Sequence, residues 1–153
     1  MIVNRSNIST KKLEAIIRFC TPAACRNLCD VIVKNTREPY SGEFYYNMPD
    51  REPYIVLRFS NNKEHFPLIF SLRQDKRDRV GYHGEYHDIS LDTNLIRVIG
   101  HELHHWYIYS DKKRHHWFYN NRKKIELLAD RYSFRKVRQF LKLKEQGIKL
   151  TDL

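Results

Sequence analysis

The chain reads as an α+β fold: helices first, then a small, mostly antiparallel sheet, then two helices that hold the chemistry. Three observations predict this. Apolar residues at helical spacing open the chain. Short β-branched and aromatic runs, broken by turn residues, fill its middle. Two long stretches with mixed apolar and charged faces close it.

The first helix begins at Ser9 or Thr10, either of which can cap it, and Leu13, Ile16, Ile17 and Cys20 follow at helical spacing. Thr21-Pro22 opens a second expected helix, about residues 22–34, with Ala24, Leu28, Val31 and Ile32 inward. Residues 35–52 contain Pro39, Gly42, Pro49 and four aromatics and read as an ordered loop. Tyr54 to Phe59 and Phe66 to Leu72 read as strands about an Asn61-Asn62 turn, and Pro67 suits a strand start or an edge. A charged turn at Asp75 to Arg79 leads through residues 80–85 to a third strand. There His87, Ile89 and Leu91 alternate with Tyr86, Asp88 and Ser90. Asp92 is placed to cap a helix of about residues 93–110, whose apolar surface is Leu95, Ile96, Val98, Ile99, Leu103 and Trp106. A loop through His115 and His116 precedes a long helix of about residues 121–146, with Gly147 as its C-cap.

The helix at 93–110 carries His101-Glu102-Leu103-His104-His105. Residues four apart lie on one helix face, so His101 and His105 can grip one metal ion, and neutral imidazole suits zinc. Glu102 is not placed to be a third ligand. It stands beside the pair, where a carboxylate can take a proton from metal-bound water. Gly100 lies inside this helix at a cost of about 1 kcal/mol relative to alanine, which suggests the close approach of another element.

A third ligand should come from further along. Ile125-Glu126-Leu127-Leu128-Ala129-Asp130-Arg131-Tyr132 reads as helix, and Glu126 and Asp130 share a face. One carboxylate can bind the metal while the other holds a ligand histidine by its distal N–H. As solvated acids, they would instead make helix salt bridges, for instance Glu126 with Lys123 or Arg122. Asp111 is a rival, but Ile108 stands where a sharp turn would need glycine. His115 and His116 are further rivals.

The combination of His101-Glu102-x-x-His105 with Glu126-x-x-Ala129-Asp130-Arg131-Tyr132 resembles the gluzincin signature of zinc metallopeptidases. It is similar to minimal zincins such as the ImmA/IrrE type and related small phage-encoded proteins, over roughly residues 80–140. The resemblance implies a minimal zincin-like domain and Zn2+ held by His101, His105 and Glu126. Glu102 would be the general base, and Asp130 would support a ligand histidine. It also implies a protein or peptide substrate that pairs with a nearby edge strand. His115, His116, Tyr107, Tyr119 and Tyr132 are candidates to stabilise the transition state. Arg114-His115-His116-Trp117-Phe118 also has the flavour of SprT-like proteases, which act on DNA-bound proteins through a third histidine.

Composition narrows the setting. At 153 residues one domain, 1–153, is expected; 41% hydrophobic and 30% charged residues are an ordinary globular balance. The longest apolar runs fall far short of the roughly 20 residues that span a bilayer. Met1-Ile2-Val3-Asn4-Arg5-Ser6-Asn7 lacks a signal-peptide core. A cytoplasmic protein with no membrane partner follows. Cys20, Cys25 and Cys29, an odd count, argue for reduced thiols buried in the core. Net charge is +10, with basic residues concentrated after Asp111. The basic C-terminal helix could attract nucleic acid or an acidic protein, or be a solvated face. The contrasting function is therefore a basic nucleic-acid-associated protein with a structural or vestigial zinc site. Retention of Glu102 argues against that reading, because a structural site has no use for a base there.

Overall fold

The structure is a computed structural model that describes residues 1–25, 27–38, 40–60, 62–65, 68–70 and 86–153. Its main sheet is built from β1 (Ile2–Arg5), β2 (Asp30–Thr36), β3 (Tyr40–Tyr45) and β4 (Tyr54–Ser60), in the order β1-β2-β4-β3. β1 and β4 each run parallel to β2, and β3 runs antiparallel to β4. Parallel neighbours need a crossover, and α1 (Thr10–Cys20) supplies it between β1 and β2. The sheet is thus mixed, which corrects the mostly antiparallel pairing expected from the sequence.

Two local expectations fail with it. The second helix at residues 22–34 does not form: a turn is followed by β2. Val31 and Val33 are buried, and they pair with Ile55 and Leu57 of β4. Their apolar positions fit both a helix and a period of two, and the β-branched partner strand decides the matter. The loop at residues 35–52 contains β3, which among the described residues is an edge strand joined only to β4.

β5 (Leu68–Phe70) and β6 (Tyr86–Ile89) form a separate antiparallel pair. The strand expected beside Tyr54–Phe59 therefore pairs with β6 instead. Asn61, Pro67 and the turn at Asp75 to Arg79 lie outside the described residues.

α2 (Leu91–Ser110), α3 (His115–Asn120) and α4 (Arg122–Glu145) follow. Ser90, not Asp92, caps α2: its hydroxyl accepts from the Thr93 amide at 3.3 Å, while Asp92 pairs with Lys12 at 2.5 Å. α3 occupies part of the expected loop. α4 ends where expected. Gly147 sits at φ 73°, and the Ile148 amide reaches back to the Leu143 carbonyl at 2.9 Å. That left-handed turn suits glycine and closes the helix.

α2 lies inside the fold, where Leu95, Ile96, Ile99 and Leu103 are almost fully buried among α1, the sheet and α4. Burial on several sides explains why its apolar residues exceed one stripe. A Cβ on Gly100 would stand 3.4 Å from Cα of Ser133, so the glycine marks the close approach of α4. All three cysteines are free. Burial pushes the Cys20 and Cys29 thiols up to about 12. Among the described residues, no helix is long and apolar enough to cross a membrane.

Candidate metal centre

One face of α2 carries His101 and His105, and the first turns of α4 bring Glu126 against them. Packing of Gly100 on Ser133 fixes the distance between the two helices. The Nε2 atoms of His101 and His105 lie 3.0 Å apart. Glu126 places Oε2 at 3.2 Å from His101 Nε2 and Oε1 at 3.1 Å from His105 Nε2. These residues form a cluster able to hold a metal ion, each offering one ligand atom. Ligands about 2.0–2.1 Å from a tetrahedral zinc are about 3.3 Å apart, so the cluster is within a few tenths of an ångström of that size. Asp130, one turn further along α4, meets His101 Nδ1 at 3.0 Å. A carboxylate on the distal nitrogen turns the ring and sets its tautomer, leaving Nε2 free for a metal.

The electrostatics follow from this crowding. Burial pulls the His101 pKa down, but hydrogen bonds to Asp130 and Glu126 outweigh it and raise it to about 9. The same histidines hold the Glu126 carboxyl well below the usual range through their hydrogen bonds. Glu102 is 7% exposed, and burial pushes its pKa up against the opposing pull of His101 and His105. A raised carboxylate is a stronger base, which is what proton abstraction needs.

Glu102 has its place because β3 carries no side chain at residue 42. A Cβ on Gly42 would come within 2.8 Å of Glu102 Oε1 and 2.8 Å of Val98 Cγ1. The strand backbone therefore passes directly over the Glu102 carboxylate. A cleft of about 520 Å³ opens between β3 and the helices, lined by His101, Glu102, His105 and Glu126. Phe118 of α3 buttresses its wall, edge-on to the His105 ring at 6.2 Å and to Phe44 at 5.7 Å.

The rival ligands fall elsewhere. His115 points Nδ1 at the Tyr109 carbonyl at 2.7 Å, and His116 is exposed; neither lines the cleft. Asp111 caps the C-terminus of α2 and pairs with Arg114 at 3.6 Å. Tyr132 donates its hydroxyl to the Cys20 carbonyl at 2.6 Å, Tyr119 donates to Asn47 at 3.2 Å, and Tyr107 accepts from Arg114 at 3.4 Å. None of these tyrosines lines the cleft. Tyr46 and Arg122 do, and the Arg122 guanidinium donates to the Tyr46 hydroxyl. From the sequence, Arg122 is expected only as a salt-bridge partner of Glu126, and Tyr46 and Gly42 only within a loop. The one signal for Gly42 was a glycine between aromatics in Tyr40-Ser41-Gly42-Glu43-Phe44-Tyr45-Tyr46.

No family model, curated protein or solved structure matches this chain. The case for a function rests on the geometry.

Proposed function

We propose that the chain is a zinc-dependent metallopeptidase. The observation that carries this is the convergence of His101, His105 and Glu126 with a buried Glu102 beside them in an open cleft. Two imidazoles and a carboxylate match the donor set of catalytic zinc and leave room for a fourth position. Zinc held there would supply Lewis acidity and bring the pKa of water down to about 7.

The residues of the chain do the rest. Glu102 accepts the proton as water attacks a peptide carbonyl, then passes it to the leaving amine. Asp130 keeps His101 oriented throughout. β3 offers its unpaired edge to an extended peptide, which would add to the sheet as a further strand. Because the Tyr46 hydroxyl accepts from Arg122, its own O–H is left to donate into the cleft, toward the oxygen that gains charge.

The two alternatives have less support. A structural zinc site wants a fourth protein ligand, yet His104 lines a different cleft and His115 and His116 lie outside this one. An SprT-like centre wants a histidine where Glu126 stands.

Zinc content and cleavage of a mixed peptide library, read by mass spectrometry, test the proposal together. Wild type should hold about one zinc and yield fragments. Glu102→Gln should keep the zinc and lose on the order of 10²–10⁴-fold in rate. Fragments unchanged in Glu102→Gln, or no zinc uptake, would sink the assignment.

A further inference from the structure

A second cleft, of about 400 Å³, opens between α2, α4 and residues 22–24, and it shares no lining residue with the first. Among the described residues its charged groups are both cations, and Tyr107 and Tyr132 also line it. Arg135, Lys136 and Gln139 reach it from α4, and His104 from α2. Among the described residues no carboxylate lines it.

Aromatic rings hold the cations in place. The Arg135 guanidinium lies 5.2 Å from the centre of the Tyr132 ring. The Lys136 ammonium lies 4.8 Å from the Phe19 ring and 5.7 Å from the Tyr132 ring. Among the described residues neither pairs with a carboxylate. Burial lowers the Lys136 pKa, Cys20 pulls it back up, and Arg135 adds a smaller lowering.

His104 adds an independent sign. It is 9% exposed, and among the described residues its Nδ1 is buried with no partner and no hydrogen bond engages its ring. Buried polar groups in folded proteins are nearly always satisfied, so the protein itself leaves the hydrogen-bonding capacity of this ring unused.

We propose that this cleft is a binding site for a small phosphomonoester. A guanidinium fork, an ammonium, an imidazole N–H and the Gln139 amide offer donors in excess, which suits a ligand group made of acceptors alone. A phosphomonoester carries about −1.5 to −2 charge and three terminal oxygens, enough to balance both cations and occupy the remaining donors. A carboxylate has two oxygens and a single charge. Pro22, Ala23 and Ala24 give the apolar wall against which the organic part would rest, and the volume is that of a small-molecule site. The site shares no lining residue with the candidate metal centre.

Calorimetric titration of the full chain with phenyl phosphate, with and without zinc, tests this. Circular dichroism checks the fold of every variant. Binding tighter than about 1 mM is expected, alike in both forms, with inorganic phosphate weaker and benzoate weaker still. Arg135→Gln with Lys136→Gln should weaken binding at least about tenfold. Arg138→Gln with Lys142→Gln, the same charge removed outside the cleft, should change it less than about twofold. No binding at about 10 mM to the folded protein overturns the proposal. Equal weakening by the outside pair would reduce the cleft to general basic charge. Benzoate as tight as phenyl phosphate would refute the phosphate assignment. Displacement of phenyl phosphate by a short duplex that binds more tightly would make the surface a nucleic-acid face instead.

Discussion

His101 and His104 lie three residues apart on one helix and live in opposite surroundings. His101 stands between Glu126 and Asp130, which raise its pKa to about 9 against the pull of burial. Among the described residues His104 has no carboxylate beside it; burial, then His105, His101 and Arg135, press its pKa down to about 3. One turn of helix thus presents a side built to attract a cation and a side built from donors. Local sequence chose neither outcome. The residues that α4 sets against each side did.

The largest expected effect removes the carboxylate that completes the cation side. Glu126→Ala should abolish tight zinc binding, while His116→Ala leaves it within about twofold, since His116 lies outside the cluster. Elemental analysis after gel filtration reads both. Zinc retained by Glu126→Ala and lost by His116→Ala would reverse the ligand assignment.

Next comes the strand above the base. Gly42→Ala should displace the Glu102 carboxylate and slow hydrolysis on the order of 10²-fold, with zinc unchanged. Unaltered rates would mean that Glu102 moves aside at no cost. Asp130→Asn should lose about 10–100-fold in zinc affinity or activity, because it loosens only the ring that the metal uses. Competition against a chelator measures it.

The gentlest test sets the two histidines against each other by pH. The folded pKa of His101 without metal lies above the ordinary 6.5. Its contribution to stability is therefore complete below pH 6.5 and is lost as pH climbs toward 9. His104 has the opposite sign: its contribution is complete above pH 6.5 and fades as pH falls toward 3. Melting curves of the metal-free protein should show the alkaline loss in wild type but not in His101→Phe. The acid loss should be smaller in His104→Phe than in wild type. Identical pH profiles in all three proteins would refute the contrast.

The sequence made the metal side legible because its information is local. His101 and His105 are one turn apart, Glu126 and Asp130 are one turn apart, and 3.6-residue periodicity puts each pair on one face. Gly100 even announced the close approach of α4. The rest depends on partners far away in sequence. Val31 and Val33 belong to a strand only because β4 lies beside them. Tyr40–Tyr45 looked like a loop because an edge strand that borders a cleft shows little alternation of burial. Tyr46 and Arg122 stand 76 residues apart, so no spacing rule could join them. Nothing in the sequence singles out His104, since its orphan ring is a property of what surrounds it.

The placement of sulfur has a consequence for life under oxidants. Cys20 and Cys29 are held as thiols by burial, and all three cysteines lie outside the cluster of His101, His105 and Glu126. Peroxide attacks thiolate, the form that burial suppresses, and nitrogen and oxygen donors offer it no comparable target. A metal held by this cluster would stay bound under oxidising conditions that empty cysteine-ligated sites.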